Sequence, residues 1–357
     1  MQRFWSEKAR TMQPYVAGEQ PRDGILIKLN TNENAYPTSP QVQSAVAMAA
    51  DRLRLYPPAD SLAFREAVAR FYDMPLEWTF AGNGSDEVLA LAFRAYLDEG
   101  TPVAWPGVTY SFYPVYAQLF GLSAAPLPML PGLAVDVAAL LRHDGPIVLA
   151  NPNAPTGIAL PVDTIAELAA SAESKGFPLI LDEAYAAFAD DSAARLLADH
   201  PNLLLVGTLS KSHALAGMRL GYALGNPALI EALWRIKDSF NSYPLDHLAI
   251  AAGAAALDDR AYFEHTREAI LHTRMAFVAV LDALGFTTLP SSANFVFTKK
   301  PDVSGEVLFT ELRRRGILVR RFALPDIADY LRITIGRDDQ MAKLTDALED
   351  ILNNLPK

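Results

Sequence analysis

Leu203-Leu204-Leu205-Val206-Gly207-Thr208 runs directly into Leu209-Ser210-Lys211-Ser212-His213-Ala214-Leu215-Ala216-Gly217-Met218-Arg219-Leu220-Gly221-Tyr222. The first run has the short, continuous apolar character of a strand buried on both faces. A lysine set behind such a strand is poorly explained by packing, because an ammonium taken out of water is costly unless it is neutralised. A covalent imine to an aldehyde would remove that charge. Ser210 and Arg219 flank the lysine and offer a hydroxyl and a fixed cation, as phosphate recognition requires. In isolation the same lysine reads more often as a surface residue at a strand end, so its neighbours decide.

Working outward, short apolar runs at 101–105, 146–150, 178–181, 203–208 and 220–224 alternate with helical patterns between about residues 79 and 225. That alternation predicts an α/β fold with a mainly parallel sheet. Helical periodicity then dominates from Pro227 to about Leu284, with a break at Asp258-Asp259. Strands are predicted at 294–298, 316–320 and 330–335 and helices at about 303–315 and 338–353, which makes a smaller α+β domain. The first 30 residues, polar and aromatic with two prolines, read as an extended arm of the kind that packs on a partner subunit.

Composition narrows the function. The 357 residues are 51% hydrophobic and 20% charged, enough for a large core or two domains. A net charge of −10 argues against a nucleic-acid partner, which needs a basic surface. The one dense basic run, Arg313-Arg314-Arg315, reads as the C-terminal end of a helix. No apolar run approaches the roughly 20 residues of a membrane span, and Met1-Gln2-Arg3 followed by Glu7 and Lys8 does not resemble a signal peptide. A cytoplasmic protein is expected. Without cysteine, disulfides, thiolate metal sites and cysteine nucleophiles are excluded. His265 and His272, seven apart, read as one solvated helix face, and no metal is expected. No Gly-x-Ser-x-Gly elbow supports a hydrolase.

Three further segments carry chemistry. Leu181-Asp182-Glu183-Ala184-Tyr185 ends an apolar run, bringing an acid and a phenol to the sheet edge where α/β folds bind ligands. Asp182 could pair with a pyridinium nitrogen and Tyr185 with a phenolic ring oxygen. Gly82-Asn83-Gly84-Ser85-Asp86-Glu87 precedes a helical run, so its backbone N–H groups and the positive helix end can hold a phosphate. The same residues could merely cap the helix through Ser85. Tyr110, after Thr109, could lie flat on a cofactor ring or simply pack in the core.

The order of these segments resembles the fold type I pyridoxal 5'-phosphate (PLP) dependent aminotransferases, and within them the histidinol-phosphate aminotransferase subgroup. The resemblance runs from about Leu29 to Arg337. It rests on Leu29-Asn30-Thr31-Asn32-Glu33-Asn34, Tyr56-Pro57, Asn151-Pro152-Asn153-Ala154-Pro155-Thr156-Gly157, Asp182-Glu183-Ala184-Tyr185, the 210–221 segment, and Tyr330-Leu331-Arg332-Ile333-Thr334-Ile335-Gly336.

It implies an aspartate aminotransferase-like α/β fold: a large domain with a mainly parallel seven-stranded sheet over residues 45–255, a small α+β domain over 256–357, and residues 1–44 divided between an arm and the small domain. It further implies that Lys211 carries PLP covalently, that Asp182 meets the ring nitrogen and Tyr185 the ring oxygen, and that Tyr110 stacks on the ring. Gly84, Ser85, Asp86, Ser210 and Arg219 would form the phosphate cup, and Tyr56 would reach the cofactor phosphate of a neighbouring subunit in a homodimer with a shared active site. Arg332, Arg320, Tyr15 and Asn34 would contact substrate, an amino donor and then a 2-oxo acid.

One residue departs from the family pattern. Ala154 stands immediately before Pro-Thr-Gly, where the family usually has an asparagine whose amide holds the ring oxygen. Either Tyr185 has less help, or Asn153 substitutes. The expected activity is transamination from histidinol phosphate to 2-oxoglutarate in histidine biosynthesis. Rivals on the same fold are an aromatic or other amino-acid aminotransferase and a threonine-phosphate decarboxylase. A PLP-domain transcription regulator and a non-catalytic dimer are the readings from other classes.

Overall fold

The computed structural model describes residues 2–20 and 27–354. Seven strands form the main sheet: Thr79–Asn83 (β1), Pro102–Pro106 (β2), Ser123–Leu127 (β3), Ile147–Ala150 (β4), Leu179–Asp182 (β5), Leu203–Thr208 (β6) and Leu220–Gly225 (β7). Their spatial order is β1-β7-β6-β5-β4-β2-β3. Strands β2 to β6 pair in parallel, whereas β7 runs antiparallel to both β6 and β1. The sheet is thus mainly parallel but mixed. Its exception has a local cause: the link from β6 to β7 holds a one-turn helix, Leu209–Ser212, and is too short for the crossover that parallel neighbours need. The lysine segment is therefore the bend of a wide hairpin.

Strands β4 to β7 are buried at every position, which is why they read as uniform apolar runs. Their alternate side chains feed two cores. Leu149, Leu181 and Leu205 enter one, and Val148, Ile180, Leu204 and Val206 the other. Two strands escaped the sequence reading. Strand β3 is a partly exposed edge containing Pro126, and β1 ends in Gly82-Asn83, so neither has the apolar signature.

Beyond the sheet, three helices follow Pro227: Pro227–Asp238, His247–Asp258 and Arg260–Ala283. The break expected at Asp258-Asp259 is present, and a second, at 239–246, contains Pro244, which the periodicity passed over. The C-terminal part builds an antiparallel sheet from Thr287–Thr288 (β8), Phe295–Lys299 (β9), Arg320–Arg321 (β10) and Leu331–Thr334 (β11), ordered β10-β11-β9-β8. Helices Gly305–Arg314 and Asp338–Asn354 flank it. Leu29 joins this core beside Phe277, Leu308 and Ile333, and Ile27–Lys28 pairs with Ile317–Leu318.

The arm is not wholly extended, because Ser6 caps a short helix, Glu7–Thr11; residues 21–26 lie outside the described residues. Arg313, Arg314 and Arg315 close the helix Gly305–Arg314 and pair with Glu19, Glu311 and Asp350. Among the described residues no helix is long and apolar enough to cross a membrane.

Where β7 passes the N-terminus of the helix Gly84–Tyr96, only hydrogen fits. A Cβ on Gly221 would lie 2.3 Å from the backbone carbon of Gly84. Gly221→Ala is therefore expected to destabilise the chain by about 1–3 kcal/mol through overpacking, read as a lower urea midpoint; an unchanged midpoint would show that the two segments separate freely.

Candidate active site

The ends of β4, β5 and β6, the N-terminus of the helix Gly84–Tyr96 and the arm enclose a cavity of about 500 Å³. Lys211, Asp182, Tyr185, Tyr110, Ser85, Asp86, Ser210, Arg219, Arg332, Arg320 and Tyr15 all line it. Residues far apart in sequence are thus brought together.

Lys211 enters from the one-turn helix behind β6, and its Nζ donates to the Thr31 carbonyl at 3.0 Å. Burial, with the neighbouring Arg332 charge, lowers its pKa to about 8, although Glu33 and Asp86 work the other way. A substantial neutral fraction is then present near neutrality, as a nucleophilic amine requires.

Asp182 is the last residue of β5 and 5% exposed. Burial pushes its carboxyl up to about 6, although bonds from Ala184 N–H and from Tyr113 Oη, at 3.1 Å each, favour the ionised form. A cationic partner would draw it back to the carboxylate, and the described neighbours supply none by hydrogen bond or ion pair. Glu183 points elsewhere, accepting from Ser192 Oγ and Ala193 N–H.

At the other end the helix N-terminus meets a fixed cation. Arg219 donates to Asp86 Oδ2 at 3.1 Å and, at 3.4 Å, to Ser210 Oγ, while Tyr110 Oη donates to Asp86 Oδ1 at 2.7 Å. Gly84, at φ +81°, makes room: a Cβ there would lie 2.5 Å from the Arg219 guanidinium. Free helix N–H groups, a hydroxyl and an arginine form a phosphate cradle. Arg332 is half-buried at the cavity wall, with Nη2 donating to the Asn30 carbonyl at 3.0 Å and a buried Nε without a partner among the described residues. It lies within 5.4 Å of the ring centres of both Phe295 and Phe322. A second anion can be held there.

Two of the expected residues stand apart from the cavity lining. Asn153 does not line the cavity: its amide donates to the Val108 carbonyl and Thr156 Oγ1, and its oxygen accepts from Thr109 Oγ1, so the side chain is consumed in bracing its own loop. Asn34 also faces away, donating to the carbonyls of Lys211 and Ser212 at 3.0 and 3.1 Å. It holds the lysine's backbone and borders a separate space of about 10 Å³. Tyr56 is 82% exposed and stacks on Tyr243, outside the cavity of its own chain.

Several contacts were not singled out in the sequence. Tyr113 lies three residues after Tyr110, and that helical spacing was the available signal. Thr31 and Asn32, inside the quoted 29–34 segment, act through a carbonyl and an amide that sequence alone does not aim.

The residues fit PLP. A cavity with a partly deprotonated lysine, a buried acid lacking a cation and a cradle for phosphate matches an aldehyde-bearing pyridine phosphate in all three groups. The profile of the family aminotransferase class I and II matches residues 24–348. The chain is 50% identical to histidinol-phosphate aminotransferase 1 of Bradyrhizobium diazoefficiens over 352 residues, covering 99% of this chain and 100% of that one. It is 48% identical to histidinol-phosphate aminotransferase 2 of Rhizobium meliloti, covering 99% and 100%. The crystal structure of histidinol-phosphate aminotransferase from Sinorhizobium meliloti in complex with pyridoxal-5'-phosphate superposes with a TM-score of 0.89 at 25% identity, covering 99% of this chain and 98% of that one.

The raised carboxyl at Asp182 has a measurable consequence. Its folded pKa, about 6, lies above the ordinary 3.8, so in cofactor-free protein the ionised group opposes folding. The penalty is absent below about pH 4, grows as pH rises and is complete above about pH 6. Asp182→Asn keeps an oxygen for the Ala184 N–H and turns its NH2 to the Tyr113 hydroxyl, which can accept, and should stabilise cofactor-free protein by on the order of 1–3 kcal/mol at pH 8, with no gain near pH 4. Urea unfolding at the two pH values tests this, and an equal gain at both would refute it.

Proposed function

The chain belongs to the class I and II aminotransferase family, and from that premise we propose that it moves the amino group of histidinol phosphate to 2-oxoglutarate, a step of histidine biosynthesis. It is a PLP-dependent aminotransferase. The observation that carries the reading is the presence of two separate anion sites in one cavity, which calls for a substrate that is itself an anion. One is the cradle of Ser85, Ser210 and Arg219; the other is the half-buried Arg332 with Arg320 beside it. With the first given to the cofactor phosphate, the second remains for the phosphate of the donor and, in turn, a carboxylate of the acceptor. The names of the relatives favour the same donor.

When bound, PLP supplies an electron sink conjugated with the amine-bearing carbon, so that a proton can leave that carbon. Asp182 would hold the ring nitrogen protonated, and its burial makes that ion pair strong. Tyr185 would donate to the ring oxygen and Tyr110 would cover the ring face. Lys211 Nζ would take the proton from the amine-bearing carbon, a role consistent with its lowered pKa. Tyr15, whose ring is 6.3 Å from that of Tyr110, would close the mouth from the arm. Donor and acceptor use the same cavity in turn, which gives ping-pong kinetics.

Residues 45–255 would form the cofactor-binding domain, and 256–357 with part of 1–44 the smaller one; separate apolar clusters support that division. A homodimer with Tyr56 reaching the neighbouring cofactor phosphate accords with the exposed apolar side chains Met48, Leu53, Leu55, Tyr56, Phe240 and Tyr243. A cytoplasmic setting accords with the lack of cysteine.

A panel of donors with 2-oxoglutarate tests the substrate. Histidinol phosphate should exceed phenylalanine, tyrosine and leucine in kcat/KM by about 10-fold or more, since a phosphate brings more charge and more acceptor oxygens to Arg332 and Arg320 than the single carboxylate of an amino acid. Preference for an aromatic amino acid would make the chain an aromatic aminotransferase, and carbon dioxide release from threonine phosphate would make it a decarboxylase. Lys211→Ala should retain cofactor weakly and lose at least about 10²–10⁴-fold in kcat; appreciable multiple turnover by that variant would remove the lysine from the proton-transfer role.

A further inference from the structure

One side of the Tyr185 ring packs on apolar groups. Its ring packs edge-on to Phe295, 5.1 Å between centres, and the same cluster holds Ala293 and Ala154, the residue that stands where the family has an amide. Among the described residues the one hydrogen bond its hydroxyl makes is from Asn32 Nδ2, at 2.9 Å.

Asn32 is itself closely constrained. It is 1% exposed and sits at φ +55°, a left-handed conformation that asparagine tolerates better than most residues. Its backbone N–H donates to Thr334 Oγ1 at 3.0 Å, Thr334 Oγ1 donates to Asn32 Oδ1 at 3.1 Å, and its carbonyl accepts from Asn294 Nδ2 at 3.0 Å. The Thr334 proton settles which way the amide faces. In the opposite orientation that buried proton would have no acceptor among the described residues, which is costly.

We infer that Asn32 is a positioning residue that takes over the task of the amide missing at Ala154, by holding the Tyr185 hydroxyl so that its proton points at the ring oxygen of the cofactor. This rests on the PLP reading. An amide N–H has no lone pair, so Tyr185 cannot turn its proton toward Asn32 and must send it into the cavity. Accepting a bond from Asn32 also makes the phenol a stronger donor. Burial raises the Tyr185 pKa, so the hydroxyl keeps its proton, while the Asn32 bond and Arg332 act the other way. The result is one directed O–H bond where relatives with asparagine before Pro-Thr-Gly use two groups.

A bond donated to the ring oxygen draws its negative charge away from the lysine-linked nitrogen, which then holds its proton less tightly. Losing the bond should raise the pH midpoint at which the visible absorbance of the lysine-linked cofactor changes. The charged groups around Lys211, namely Arg332, Glu33, Asp86 and Arg219, stay the same in every variant compared.

The test is that titration on holoenzyme. Tyr185→Phe should raise the midpoint by about one to two units. Asn32→Gly, chosen because glycine accepts the left-handed backbone, should raise it by about half a unit or more. The double variant should match Tyr185→Phe alone. Thr334→Val, which frees the amide to turn, should raise it part of the way and serves if the glycine variant does not fold. An unmoved midpoint in Asn32→Gly or Thr334→Val beside a clear shift in Tyr185→Phe overturns the inference, as do additive shifts in the double variant. If the protein binds no PLP, or Tyr185→Phe leaves the midpoint in place, the cofactor reading falls and this inference with it.

Discussion

The ε-amine of Lys211 sits where water solvates its charge poorly and where Arg332 adds a second positive charge, so its proton is released near pH 8 instead of 10.5. An amine in that state is ready to attack a carbonyl without any base beside it. The opposite problem exists at Asp182, whose negative charge is also deprived of solvent and whose proton stays until about pH 6. The same desolvation shifts each group toward its neutral form. A single heterocycle bearing an aldehyde and a basic nitrogen relieves both, because the amine becomes part of an imine and the acid gains a cation. The desolvation penalty of the cofactor-free site is thereby relieved on binding.

The fold makes this arrangement cheap to position. Asp182 is the last residue of a strand buried at every position, and Lys211 follows one almost directly, so neither depends on a mobile loop. The parallel strands deliver their carboxyl ends to one edge, and the antiparallel return of β7 brings Arg219 back to that same edge beside the helix N-terminus. The contact between Gly221 and Gly84 then fixes how close the returning strand lies to the phosphate cradle. Backbone packing, more than side-chain complementarity, sets the spacing between the cradle and the lysine.

What could be read from the sequence follows from this division. Strands buried on both faces announce themselves as apolar runs, and charged residues at their ends stand out against them, so Lys211, Asp182 and the main sheet were legible. The edge strand β3, with Pro126 and partial exposure, carries no such contrast. Direction was harder to see. That β7 runs backwards depends on the length of the link before it, not on its own residues. Side-chain amides were hardest of all. Asn34, Asn32 and Asn153 look alike in sequence, yet one clamps the lysine backbone, one faces a phenol and one braces a loop, because the partner of a short amide is set by backbone placement to within an ångström.

The strip Asn30-Thr31-Asn32 shows how the two ends of the chain are tied to the chemistry. Asn30 accepts from Arg332 through its carbonyl, Thr31 accepts from Lys211 through its own, and Asn32 reaches Tyr185 through its amide. Three consecutive residues thus touch the proposed substrate arginine, the lysine and the phenol. The strip has little freedom, since Leu29 is bonded on one side to Leu318 and on the other to Thr334, both in the C-terminal unit. Any displacement of that unit must carry the strip with it. The contacts to the arginine, the lysine and the phenol are thus joined by two peptide units, which gives the N-terminal segment a place in the site that its position, far from the lysine in sequence, does not suggest.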